Sequence, residues 1–81
     1  MEPDQIRDLV SEAMPEAQVT VGGDGYHHEL RVVSAAFCGM NRVKRQQLVY
    51  GHLAEVIRSG ALHAVNIRAQ TPEEAAATGG R

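Results

Sequence analysis

The 81-residue sequence predicts an α+β domain in the order helix, strand, strand, helix, strand, helix, with a three-stranded mixed sheet and helices packed on it. Three observations carry that reading. Apolar residues recur at helical spacing in two segments, they alternate with polar ones in three short runs, and the longer helical segment lies between the second and third strands. That is the arrangement a parallel crossover requires.

Residues 3–14 set Ile6, Leu9, Val10, Ala13 and Met14 on one stripe, with Pro3 in the first turn and Pro15 at the exit. Residues 17–21 alternate through Val19 and Val21, then meet Gly22-Gly23-Asp24-Gly25, a run rich in residues that tolerate positive φ. Residues 28–34 alternate again through Leu30 and Val32. The two strands therefore form an antiparallel hairpin whose flexible loop carries Tyr26 and His27 at its far end. A longer helix over residues 41–59 places Val49, Leu53, Val56 and Ile57 on one face, crowds Arg42, Lys44 and Arg45 into its first turns, and stops at Gly60. Residues 62–68 alternate with His63, Val65 and Ile67 on one side. Thr71-Pro72-Glu73-Glu74 then joins an N-cap threonine, a first-turn proline and an N3 glutamate, opening a short last helix. One domain over residues 1–77 with a frayed tail at 78–81 is expected.

Composition excludes several function classes. Hydrophobic residues make up 43% and charged ones 22%, a globular balance, and no apolar run reaches the roughly 20 residues that span a bilayer, so no membrane role is expected. The single cysteine, Cys38, cannot close an internal disulfide, and no leader-like segment opens the chain, which points to the cytoplasm. A net charge of -2 does not favour nucleic acid globally. No nucleophile stands beside a base, and a domain this small encloses a substrate poorly, so neither catalysis nor a small-molecule substrate is expected.

Candidate ligands come from topology. If the second and third strands pair in parallel, both begin at one edge of the sheet, and His27 is brought toward His63. A lone histidine at a strand start is more often packed and hydrogen-bonded than metal-bound, and His52, on the long helix, reads as a solvated or capping side chain.

The runs Gly23-Asp24-Gly25-Tyr26-His27, residues 37–51 (Phe-Cys-Gly-Met-Asn-Arg-Val-Lys-Arg-Gln-Gln-Leu-Val-Tyr-Gly) and Leu62-His63-Ala64-Val65 resemble the signature of the BolA family, in order and with matching gaps. The stretch from Arg42 to Gly51 is similar to the IbaG (YrbA) branch, and the resemblance covers about residues 5–75. It implies a BolA-like fold akin to class II KH domains. It also implies a heterodimer with a monothiol glutaredoxin, bridged by a [2Fe-2S] cluster to which the glutaredoxin gives its active-site cysteine and a bound glutathione. On that pattern His63 is the principal ligand from this chain and His27 the second. Imidazole is a competent iron ligand, histidine ligation raises cluster potential, and it makes retention sensitive to pH, because a protonated ring cannot bind metal.

His28 departs from the pattern, standing where relatives usually carry phenylalanine; it is the alternative to His27 as second ligand, or else a ring stacked at the strand start. Cys38 reads as a buried or half-buried filler and is left out of the site. Two other readings use the same residues. A KH-like domain with Arg42, Lys44 and Arg45 at a helix start suggests a DNA-binding regulator, against which the Gly-x-x-Gly loop between helices is missing. A zinc or other divalent-metal site on the histidines is the third. Partner docking is expected around the His27 loop, the start of the long helix and the third strand.

Overall fold

A computed structural model describes residues 1–23 and 27–79; residues 24–26 of the predicted loop and 80–81 of the predicted tail lie outside the described residues. The elements are α1 (Pro3–Ala13), β1 (Gln18–Gly23), β2 (His27–Val33), α2 (Arg42–Arg58), β3 (Ala64–Gln70) and α3 (Pro72–Gly79), with a short 3-10 turn at Ala35–Phe37 that the sequence pattern did not announce. The strands lie in the order β1-β2-β3, β1 antiparallel to β2 and β2 parallel to β3. This is the α+β mixed sheet expected.

Local chemistry fixes the helix ends. Asn41 caps α2 by accepting a hydrogen bond from the Lys44 N–H at 2.8 Å, and Gly60, at φ +83, ends it. Thr71 and Glu74 form the reciprocal box at the start of α3: the Glu74 N–H donates to Thr71 Oγ1 at 3.2 Å and the Thr71 N–H donates to Glu74 Oε1 at 2.9 Å.

Burial follows the two periods. Ile6, Val10 and Met14 of the α1 stripe are buried, as are Val49 and Leu53 of α2, against Leu30 and Val32 of β2. Ala13, expected on the stripe, is exposed. The buried 3-10 turn residue Phe37 and Leu62 complete the core. Alternation sends His28, Leu30 and Val32 toward the helices, and Glu29 and Arg31 to the opposite face, where Thr20, Glu29, Asn66 and Arg68 are exposed. α3 borders one end of that second face through Pro72, Ala75 and Ala76, which lie beside Arg31 and Val33.

The free edge of β3 is covered from α2. Gln46 Nε2 donates to the Ile67 carbonyl at 2.6 Å, Arg45 Nη1 to the Ala69 carbonyl at 3.3 Å and the Tyr50 hydroxyl to the Val65 carbonyl at 3.5 Å. Three outward-facing carbonyls of an edge strand thus find donors, and α2 is held lengthwise along the sheet.

Candidate metal centre at the rim of the sheet

The rim is built from two strand starts. In the parallel register His27 pairs with Ala64, so the backbone of His63 lies directly ahead of the residue opposite His27. His27 is the first residue of β2 rather than part of a free loop, because the strand pairs with β3 from His27 and with β1 from His28. Gly23 makes this closure possible. At φ +117 it adopts a backbone conformation that disfavours L side chains, and a Cβ there would overlap the His27 carbonyl oxygen. Only glycine lets β1 and β2 close at this end.

His63 is held from both sides. Leu62, buried at 2% exposure, donates its N–H to the Val56 carbonyl at 3.1 Å, tying the segment to the last turn of α2, and Ala64 enters the ladder with β2. Between these anchors the His63 side chain is exposed, and so is that of His27. Alternation sends His27 to the face away from the helices. His63 shares the parity of Val65, on the opposite side from His27, but it precedes the ladder and its side chain is exposed. His27 and His63 stand on neighbouring backbones at one rim, where a depression of about 310 Å³ is lined by His27, His28, Glu29, Ala64, Val65 and Asn66.

His28 borders the same depression but does not share the exposure of His27 and His63. It is 5% exposed on the helix-covered face, and its buried Nδ1 has no hydrogen-bond partner among the described residues. Turning the whole His28 side chain to the His27 face would need β2 to turn over, at the cost of the Leu30 and Val32 burial. Cys38, expected to be buried or half-buried, is exposed, because the 3-10 turn spends its inward position on Phe37. His52 is half-buried. Among the described residues no group of three or more His, Cys, Asp or Glu side chains converges.

The basic trio is divided. Arg42 and Lys44 are exposed, whereas the Arg45 side chain is only 14% exposed. Its guanidinium ion-pairs with Glu74 at 2.7 and 3.3 Å, donates through Nε to the Met40 carbonyl at 2.9 Å, and lies 5.9 Å from the centre of the Phe37 ring. The Arg45 bond, followed by the Thr71 N–H, holds the Glu74 carboxyl below its ordinary value. Arg45 therefore clamps α2 to α3 and does not join Arg42 and Lys44 in one basic face. That role escaped sequence reading, which took Arg45, Gln46 and Tyr50 as motif letters. The available signal was their spacing on the side of α2 next to β3.

The mixed three-stranded sheet, the edge-capping helix and the paired strand starts define a BolA-like domain, and the sequence agrees. Residues 6–74 match the BolA-like protein family, and the chain belongs to the BolA family. It is 45% identical over 74 residues to acid stress protein IbaG of Escherichia coli K12, covering 91% of this chain and 88% of that one. Among solved structures, a BolA homologue from Coxiella burnetii superposes with a TM-score of 0.80 at 29% identity, covering 91% and 95% of the two chains. The BolA domain of SufE1 from Arabidopsis thaliana superposes at 0.77 with 35% identity, covering 89% and 93%. The kinship thus extends to SufE-related BolA domains. No helix among the described residues is long and apolar enough to cross a membrane.

Proposed function

We propose that the protein is a non-enzymatic adaptor that forms a heterodimer with a monothiol glutaredoxin and shares with it a [2Fe-2S] cluster, ligated here by His63 and His27. It acts in iron-sulfur cluster trafficking or in iron, redox or stress regulation. The observation that carries this is the register His27 to Ala64, which holds two exposed histidines, remote in sequence, at one rim. Two neutral imidazoles are an incomplete set for a cluster, and a partner's thiolates are suited to complete it. The donor set therefore fits a bridging cluster. Kinship with a SufE-related BolA domain and with an acid stress protein supports the same role.

The partner's approach is supported by the surface beside the rim. Tyr50, a large side chain of α2, stays exposed at 42%. Tyr50 reaches the Val65 carbonyl, two residues beyond His63. An exposed aromatic side chain next to half a coordination shell is what a docking protein would cover.

Mixing the protein with a monothiol glutaredoxin, glutathione, iron and sulfide tests the reading. The expected product is a heterodimer whose visible absorption and circular dichroism differ from those of the glutaredoxin homodimer, and His63→Ala is expected to abolish the difference. An identical spectrum for wild type and His63→Ala removes that residue from the centre. The failure of wild type to associate at all removes the adaptor.

A further inference from the structure

We propose that the sheet face turned away from α1 and α2 docks an acidic protein surface through the side-by-side arginines Arg31 and Arg68. The proposal rests on the adaptor reading and names a second contact of the same partner. Arg31 and Arg68 are direct partners in the parallel register, and alternation with buried Leu30 and Val32 puts both on the face away from the helices. Like charges directly opposite one another weaken a strand pair unless an opposite charge lies between them. Among the described residues none does: no carboxylate comes within ion-pair distance of either guanidinium.

Both arginines keep donors in reserve. Arg31 donates Nε to Gln70 Oε1 at 3.0 Å, which steadies the side chain and leaves its terminal nitrogens for another acceptor. Arg68 is exposed and makes no side-chain hydrogen bond among the described residues. Thr20, the β1 partner of Arg31, and Asn66 line the same depression with neutral hydrogen-bonding groups, and Glu29 lines it with a carboxylate.

Guanidinium forks fit carboxylates and phosphates alike. The neighbourhood separates them. Glu29 stands on the same strand between Arg31 and His27, and a nucleic-acid backbone following the sheet would meet that carboxylate on a chain of net charge -2. A folded protein can set carboxylates against the arginines and a neutral or basic group against Glu29. His27 lies four residues from Arg31 along β2, about 13 Å at the usual strand rise, so one partner of ordinary footprint can touch the rim and the arginine pair together.

The test is association with the monothiol glutaredoxin in the presence of glutathione, iron and sulfide. It is followed by analytical ultracentrifugation at about 20 mM and about 200 mM salt, where screening differs strongly. The Arg31→Gln/Arg68→Gln pair is expected to bind about tenfold more weakly at low salt, to lose most of the salt dependence, and to keep the wild-type visible spectrum at saturation. Equal affinity and equal salt slope for wild type and double variant overturn the docking face and leave the histidine-ligated adaptor standing. No complex with wild type overturns both. Arginine-dependent binding of a single-stranded oligonucleotide, without arginine-dependent binding of the glutaredoxin, gives the face to nucleic acid and overturns the proposal. Should the double variant fail to fold, Arg68→Gln alone, whose side chain bonds to nothing described within the chain, carries the same test.

Discussion

Adjacent glycines in β1 should respond to the same substitution with opposite signs. At Gly22 an added Cβ meets no atom within 4 Å and no positive φ is required, so Gly22→Ala mainly removes freedom from the unfolded chain and should be neutral or stabilising by about 0.4–1 kcal/mol. At Gly23 the same methyl group faces φ +117 and the His27 carbonyl oxygen. Holding an alanine in such a region costs on the order of 1–3 kcal/mol. The overlapped atom is backbone, so it cannot rotate away, and relief requires the Gly23 to His28 pairing to open, with roughly 1 kcal/mol more for a lost hydrogen bond. After the unfolded-state gain is subtracted, Gly23→Ala should destabilise by about 1–3 kcal/mol, measured as a lowered urea midpoint at unchanged slope. The same displacement should move His27 off its register with Ala64, so the heterodimer spectrum should weaken for Gly23→Ala and persist for Gly22→Ala. Equal stability of the two variants would refute the claim that Gly23 is what closes β2 onto β1.

Two further substitutions probe the core and the α2 to α3 clamp. His28→Phe replaces an orphaned buried nitrogen with carbon and should raise stability by about 1–3 kcal/mol in urea unfolding while leaving the heterodimer spectrum unchanged; loss of the spectrum would put His28 into the centre. Glu74→Gln should remove a pH dependence of known sign. Because Arg45 lowers the folded carboxyl below its ordinary value of 4.5, the unfolded chain binds the proton more readily. The stabilisation is therefore fully present above 4.5 and is lost as pH falls through the folded value, so the urea midpoints of wild type and variant should converge on acidification. Midpoints that stay equally far apart from about pH 7 to about pH 3 would contradict the Arg45 bond.

The sequence expresses periodic features well and geometric ones poorly. Ile6, Val10, Leu30, Val32, Val49 and Leu53 announce their burial through spacing, because each repeats a period that one buried face imposes. The Thr71-to-Glu74 box is equally visible, since capping chemistry is local. His27 and His63 are different: their neighbourhood depends on parallel pairing across a 17-residue helix, which no local pattern specifies, and only the topological argument brings them together. The 3-10 turn went unread because three residues are too few to show a period, and with it went the exposure of Cys38. Arg45 was misjudged for a related reason. A cation in a first helical turn looks solvated until β3 and α3 supply the Ala69 carbonyl and the Glu74 carboxylate that draw it inward.

If His63 and His27 hold a cluster as proposed, a small domain has a particular reason to keep such ligands on a rim. Burial of Phe37, Leu53, Leu62 and the facing strands uses most of the apolar surface that 81 residues can enclose, and a fully walled metal pocket would place polar donors where the core is needed. Putting histidines at two strand starts avoids that conflict. The backbone of each is fixed by the ladder, by Gly23 or by Leu62, so position comes from secondary structure, while the imidazoles remain in solvent and disturb no packing. On the proposed reading the consequence is a half-shell, competent for a cluster only when a second protein supplies the other half. Affinity for the cluster then depends on affinity for the partner, which makes charge and apolar contacts on the surrounding surface part of the metal chemistry. Tyr50 beside the rim, and Arg31 with Arg68 farther along the face away from the helices, are where that coupling would be tuned.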